Sequence, residues 1–453
     1  MTLDELCHRR VAVWGAGAEG LALGRLLVAR GVVPTVVDDR PGEVGPAVAL
    51  ALGADVRVHR PGDVPWASVD VVVRSPGVSR YRPELAAAEA AGATVTTPMA
   101  VWLEDVRDAP VLAVTGTKGK STTATLAAAI LGRGGRSVAL VGNIGTPVTD
   151  CYGADPVDAF VVEVSSYQAT DVTVSPRVCV LTSLAPDHLD WHGGEEAYYR
   201  DKLRLVTAGP PGRLAVNAAS PEAVARTADH PDRTLYGPAG RVRLEPSGVV
   251  TVDGEPVADA GRLRVPGEHN RLNLCGAVAG VTLLLGEAPS PEAVAAAVDG
   301  YTGLPSRCHT VGERGGLEFV DDALASNPFA TVASLGSFPG RELTVILGGA
   351  DRGTDPAELL DALADRRPVP RVVVLDAATD RASGALRGPD APVPVTVAGD
   401  MAAAVAAAVA ATPDGGVVLF SPSAPTPGAG RGYRDRSREF VSAAGLGETA
   451  GSQ

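Results

Sequence analysis

The chain has 453 residues, enough for about three domains at roughly 150 residues each. A formal net charge of −13 argues against a surface that binds nucleic-acid backbones. Hydrophobic residues are 45% of the chain and aromatics only 4%, and no apolar run approaches the roughly 18 residues of a membrane span, so neither nucleic acid nor membrane is an expected partner.

The start, MTLDELCHRRVAVWG, lacks a basic stretch followed by a long apolar segment and a small-residue cleavage site, which leads us to expect a cytoplasmic protein. Cys7, Cys151, Cys179, Cys275 and Cys308 are scattered and never spaced CxxC. That spacing argues against a disulfide framework and a zinc site and for packing thiols.

Residues 1–98 alternate short valine-rich runs (RRVAVWG, PTVVDD, VDVVVRS) with alanine-rich helical stretches, a parallel α/β pattern. The loop WGAGAEG follows a strand, opens a helix and precedes a second strand ending at Asp38, which together meet the dinucleotide fingerprint. A nicotinamide cofactor, another nucleotide such as a UDP group, and a merely structural turn all satisfy it.

Residues 99–303 begin with the strand PVLAVTG, turn at glycine into STTATLAAAILGRG and reach a second buried strand, DAFVVEVSS. Short β-prone pieces between 207 and 265 suggest a small added sheet. TGTKGKST ends as a phosphate-cradling loop does, in Gly119, Lys120 and Ser121, although its leading glycine is two residues closer than in GxxxxGK[ST]. Lys120 then lies along the β and γ phosphates and Ser121 offers a hydroxyl to Mg²⁺. Lys118 reads as a solvated cation or a secondary phosphate contact. Glu163, at the end of VVE, is a hard oxygen ligand of the kind Mg²⁺ takes. From 304 to 453 the α/β alternation resumes, so the expected fold is α/β with three domains: Rossmann-like, P-loop ATPase-like with the added sheet, and Rossmann-like again.

Forty residues are basic, yet only Lys118, Lys120 and Lys202 are lysine. Lysine, unlike arginine, sheds its proton when desolvated or placed near other cations, and its amine then attacks CO₂ or a carbonyl. Lys202 lies on an expected helix after Gly194, preceded by His188 and His192.

TGTKGKST, GNIG (142–145), VVEVSSYQ, DHLD with Lys202 14 residues beyond its histidine, GEHNRLN, LPSR and VDD together resemble the muramyl ligase family. Their order and the chain length resemble its glutamate-adding member. The resemblance implies domains at 1–98, 99–303 and 304–453 that bind, in order, the UDP part of a UDP-N-acetylmuramoyl-L-alanine substrate, ATP, and the incoming amino acid. It implies ATP and Mg²⁺ and no NAD, small-molecule substrates only, and a monomer. Gly116, Thr117, Lys118, Gly119, Lys120, Ser121 and Thr122 would cradle ATP, with Asn270, Asn273, Arg307 and Asp322 on its adenosine side. Ser121, Glu163, His188 and a carbamylated Lys202 would serve the metal, with Lys120, Lys202, His188 and Glu163 catalytic. Gly15, Gly17, Glu19, Gly20, Asp38, Asp39, Ser75, Pro76, Gly77, Asn143 and His188 would hold the UDP substrate.

DDALASNP departs from the DSKATN common in enzymes that add D-glutamate, with Leu324 at the lysine position, and SPSAPT departs from SPACAS. These changes resemble a variant subfamily that adds L-glutamate, its product corrected later by an epimerase. Ser326, Arg352, Thr426 and Tyr433 would then bind glutamate, Arg352 replacing the missing cation. The same ligase using D-glutamate, a folylpolyglutamate synthase-like ligase, an NAD-dependent dehydrogenase and a non-catalytic nucleotide-binding paralog are the alternatives.

Overall fold

The structure, a computed structural model, describes residues 1–210, 212–265, 267–351, 353–427 and 432–447. Met1–Gly261 with Leu272–Val298 form one compact unit, and Arg262–Arg271 with Asp299–Gln453 form a second. Two sheets lie in the first unit and one in the second. Among the described residues no helix is long and apolar enough to cross a membrane, and the five cysteines are free.

The first sheet is parallel, its strands β1 (Val11–Trp14), β2 (Thr35–Val37), β3 (Val58–His59), β4 (Val71–Arg74) and β5 (Thr94–Thr96) arranged β3-β2-β1-β4-β5. β1 and β4 are buried throughout, as continuous apolar runs in a sheet covered on both faces must be. Helix α1 (Ala18–Ala29) follows β1 directly. The chain adds β2 and β3 on one side of β1 and β4 and β5 on the other, so the loops after β1 and β4 meet at a topological switch point, where α/β sheets bind ligands.

The second sheet has nine strands: β6 (Val111–Thr115), β7 (Val138–Gly142), β8 (Ala159–Glu163), β9 (Val178–Leu181), β10 (Arg213–Asn217), β11 (Arg233–Gly237), β12 (Val242–Leu244), β13 (Val249–Val252) and β14 (Glu255–Asp259), ordered β14-β13-β12-β11-β10-β9-β6-β8-β7. The pieces expected as a small added sheet instead extend this one: β12 pairs in parallel with β11, and β13 and β14 continue it antiparallel. Helices α2 (Lys120–Arg133), α3 (Ser166–Ala169), α4 (Leu189–His192) and α5 (Glu195–Thr207) follow β6, β8 and β9. Acidic Glu195 and Glu196 in the first turn of α5 complement its dipole. α5 buries Tyr198, Tyr199, Asp201, Lys202, Leu203, Leu205 and Val206. The register pairs Val114 and Gly142 with Glu163, and Thr115 with Leu181. The C-terminal ends of four strands therefore converge, with β6 at the switch point.

Helix α6 (Glu268–Leu285) carries Asn270 and Asn273, and the division between units falls between them. The third sheet holds β15 (His309–Arg314), β16 (Leu317–Asp321), β17 (Leu343–Leu347), β18 (Arg371–Leu375), β19 (Val395–Ala398) and β20 (Val417–Phe420), ordered β15-β16-β20-β17-β18-β19. All neighbours are parallel except β15 with β16. Helix α7 (Arg381–Leu386) follows β18 and α8 (Tyr433–Ala443) follows β20. Here the switch point lies between β17 and β20.

Candidate active site

The loop between β6 and α2 bends through Gly116 (φ +144°) and Gly119 (φ +86°), backbone that L side chains rarely adopt. A Cβ on Gly116 would overlap the Thr182 hydroxyl, and one on Gly119 would overlap the Asn273 side-chain oxygen. Lys120, Ser121 and Thr122 form the first turn of α2, where unpaired N–H groups and the dipole favour phosphate.

All three lysines meet this loop. Lys120 Nζ donates to Gly116 O at 2.9 Å and Thr117 O at 3.0 Å. Lys202 Nζ donates to the same Gly116 carbonyl at 2.9 Å and lies 5.0 Å from the centre of the Tyr198 ring. Lys118 Nζ is 3.4 Å from Asp187 Oδ2. Lys202 is only 2% exposed. Burial, then the charge of Lys120, pushes its ammonium well below the ordinary lysine range, outweighing the attraction of Asp187. Tyr198 OH meets Thr117 Oγ1 at 2.8 Å, tying α5 to the loop.

Glu163 is fully buried rather than a solvent-facing strand end. Ser121 Oγ donates to its Oε2, and Asn143 Nδ2 donates to Oε1 at 2.7 Å. Gly142 (φ +106°) brings β7 against it, since a Cβ there would overlap the Glu163 carbonyl. His188 starts α4 in left-handed backbone, φ +53°, with Nδ1 3.8 Å from Asp187 Oδ1. Burial is the largest cause of its lowered pKa, and the three lysines add to it, which leaves a neutral imidazole able to ligate. Burial opposes ionisation of Asp187, but Lys118, His188, Lys120 and Lys202 outweigh it and hold that carboxyl low. Among the described residues no group of three or more His, Cys, Asp or Glu could hold a metal by itself. A buried carboxylate with a hydroxyl beside it still suits Mg²⁺, which takes one or two carboxylates and completes its shell with substrate phosphates.

At the first sheet, Gly15 (φ +100°) packs so closely on Ser75 that a Cβ would sit 2.8 Å from Ser75 Cβ, and a Cβ on Gly20 would overlap the Gly15 carbonyl. Ser75 Oγ donates to Gly15 O at 2.8 Å. Asp38 takes the backbone N–H groups of Ala16 and Arg40 at 3.0 and 2.9 Å, so its carboxylate shapes the loop. Asp39 pairs with Arg82 at 2.6 Å. Gly17 caps α1 without a side-chain bond, and Gly77 has open space around it. Pro76 lies in the turn that Val78 N closes on Ser75 O at 3.0 Å. Glu19 accepts from Gln168 Nε2 at 2.6 Å. Burial, only partly offset by Gln168 and Arg74, pushes its carboxyl up to about 7.

In the second unit Asp322 accepts from Cys308 N (3.0 Å), Ser334 Oγ (2.6 Å) and Ser421 Oγ (2.7 Å), and burial raises its pKa to about 6. It anchors a loop in which Ser306 (φ +59°) and Cys308 (φ +48°) flank Arg307. Asn270 closes a turn on Gly267 O at 3.1 Å. Ser326 lines a cleft at the C-terminal ends of the third sheet. Thr426 is half-buried just beyond β20, and Tyr433 opens α8. Arg352, and Gly428–Arg431 just beyond SPSAPT, lie outside the described residues. Sequence reasoning missed Tyr198 and Asp187 as partners of the lysine cluster, and Arg381, Ser423 and Arg436 around the cleft. Asp187 sat inside the DHLD motif and was its one legible signal.

The sequence models of a Mur ligase MurD-like N-terminal domain, a Mur ligase middle domain and a Mur ligase glutamate ligase domain match residues 9–97, 114–281 and 306–424. The chain is 40% identical to the UDP-N-acetylmuramoyl-L-alanine--L-glutamate ligase of Salinispora tropica, with all of both chains covered. It is 37% identical to the protein of the same name from Xanthomonas axonopodis pv. citri, covering 99% of this chain and 98% of the relative. Its fold is similar to that of the UDP-N-acetylmuramate-alanine ligase MurC of Thermotoga maritima, with a TM-score of 0.57 and 18% identity over 97% of this chain and 99% of that one. The chain belongs to the Mur ligase family.

Proposed function

We propose that this protein is an ATP-dependent ligase that joins L-glutamate to UDP-N-acetylmuramoyl-L-alanine in the making of a peptidoglycan precursor. The observation that carries the reading is the convergence of Lys118, Lys120 and Lys202 on one glycine loop beside buried Glu163. The full-length likeness to relatives that bear the L-glutamate ligase name supports the choice of enantiomer.

In this reading the loop N–H groups and Lys120 hold the phosphates of ATP, the lysine acting as a compact charge that moves from its carbonyl contacts to the β and γ oxygens. The L-alanyl carboxylate displaces ADP at the γ phosphorus to give an acyl phosphate. Lys120 spreads the charge that develops on the transferring group. The glutamate amine then attacks the activated carbonyl, the amide C–N bond forms, phosphate leaves and the amine proton passes to solvent. Ser121, Glu163, His188 and Lys202 would hold Mg²⁺, which would supply positive charge to offset that of the phosphates.

Lys202 serves that role as a carbamate. Its desolvated amine attacks CO₂, one N–H proton is lost, and the resulting N–COO⁻ exchanges a cation for an anion beside the metal. Arginine cannot follow, because its guanidinium does not give up its proton. The loops after β1 and β4 receive the UDP portion, Gly15, Gly17 and Gly20 letting backbone approach the diphosphate.

Purified protein with ATP, Mg²⁺ and UDP-N-acetylmuramoyl-L-alanine tests the reading. L-Glutamate should release phosphate and form the amide. Turnover with D-glutamate and none with L-glutamate would overturn the enantiomer, and turnover with neither would overturn the ligase.

A further inference from the structure

At the C-terminal ends of β16, β17, β18 and β20 lies a shallow, solvent-open cleft. Ser326, Asp351, Thr354, Asp380, Arg381 and Ser423 are its polar lining. Arg436, 4% exposed, donates to Gly348 O at 2.8 Å and Ala424 O at 3.0 Å, so the loops after β17 and β20 are held in place before any ligand arrives.

The charges of this cleft are not equally available. Asp380 accepts from Gly349 N, Ser383 N and Ser383 Oγ at 3.0, 2.9 and 2.7 Å, and both its oxygens are occupied. Arg381 and Asp351 meet only loosely, at 3.6 Å, with side chains 57% and 42% exposed. A pair so open and so solvated gains little from itself, and each member remains able to take a charge from a ligand. Ser423 is the opposite case. It is 3% exposed, stands in left-handed backbone at φ +57°, and its hydroxyl has no hydrogen-bond partner among the described residues. A strained, buried, unpartnered hydroxyl is unfavourable twice over, and such positions persist where a ligand completes them.

We infer that Ser423 and Arg381 read the two carboxylates of the incoming glutamate, Ser423 the side-chain carboxylate on the floor of the cleft and Arg381 the α-carboxylate at its rim. This rests on the glutamate-ligase reading above. The amine that forms the amide must face the opening of the cleft. The α-carboxylate shares a carbon with that amine and stays near the opening, where Arg381 is exposed. The far end of the side chain reaches the floor, where the buried hydroxyl donates. With amine and side chain fixed, inverting the α-carbon turns the α-carboxylate away from Arg381, so this residue also selects the enantiomer. It supplies the cation that Leu324, half-buried and apolar on the loop after β16, does not.

Steady-state kinetics of the full chain with L-glutamate, D-glutamate and the α-amide of L-glutamate test this on wild type, R381A, R381K, S423A and R352A. R381A should raise the KM for L-glutamate roughly 10- to 100-fold, the loss of one charge-assisted hydrogen bond, and leave the KM values for ATP and the UDP substrate unchanged. Its preference for L-glutamate over the α-amide and over D-glutamate should collapse, and R381K should recover part of both. S423A should raise only the glutamate KM. An unchanged glutamate KM in R381A, a loss equal for acid and α-amide, or a loss confined to R352A overturns the assignment while the ligase stands. If wild type forms no amide with either enantiomer, the ligase reading falls and this inference with it.

Discussion

Lys202 is buried, donates to one carbonyl and has a second ammonium close by, conditions that favour the neutral amine. Lys202→Arg restores a permanent charge and adds bulk to a buried site. We expect activity to fall roughly 100-fold or more, as when an electrostatic group is removed from a reacting centre, with coupled phosphate-release kinetics as the check. Wild-type activity in CO₂-depleted buffer should fall and return on adding bicarbonate, whereas the residual activity of Lys202→Arg should not respond. Glu163→Gln keeps the shape that Ser121 and Asn143 grip but removes the charge. Its Mg²⁺ requirement, read as the metal concentration for half-maximal rate, should rise at least about tenfold. The lysines were legible in the sequence because a chain that otherwise uses arginine kept them inside short motifs. That Lys118 faces Asp187 was not, since that contact joins segments 69 residues apart whose meeting only the fold decides, whereas Tyr198 lies one helical turn before Lys202, at a spacing the expected helix already offered.

The loop between β6 and α2 depends on Gly119 to bring backbone against Asn273. Gly119→Ala should cost about 1–3 kcal/mol of local strain and weaken nucleotide binding about tenfold or more, measurable by calorimetry with ADP. A buried line of side chains joins α3, α4 and α5: Ser166 Oγ meets His192 Nε2 at 2.9 Å, His192 Nδ1 meets Asp201 Oδ2 at 2.7 Å, and Tyr81 OH from the loop after β4 reaches Asp201 at 2.8 Å. It links the helices that follow Glu163, carry His188 and carry Lys202. His192→Ala leaves two buried polar groups without that partner and should cost about 1–3 kcal/mol in denaturant unfolding. Tyr81 is 45% exposed, so Tyr81→Phe should cost less. In the third sheet, burial raises Asp322 from 3.8 to about 6. The folded state therefore holds its proton more tightly than the unfolded chain. Its contribution to stability is full below about 4 and is lost as pH rises through about 6. Melting curves should show Asp322→Asn gaining on wild type across that window. The strands and the helices around these groups were readable from valine runs and glycine turns. The added strands were misplaced because a β-prone piece carries no mark of which edge it will join, and β12 reaches the main sheet only through two residues of β11.

Across the chain, all three sheets set their candidate residues at the C-terminal ends of strands, at or beside a change in strand order. The same rule that makes GAGAEG look like a dinucleotide loop also serves a nucleotide-linked substrate, and a glycine pattern alone cannot separate them. The combination of motifs carried the family into view from sequence. Ser423 and Arg381 did not come into view, because the members of their cleft follow four different strands and bear no shared spacing. With a net charge of −13, the protein must draw its anionic substrates through local groups rather than an overall field, which makes the three lysines decisive. The most direct measurement is ¹³C NMR of the protein equilibrated with ¹³C-bicarbonate at a pH near 8. The account predicts a carbamate resonance of one carbon per chain that is absent from Lys202→Arg. A fully active wild-type protein with no such resonance would contradict it.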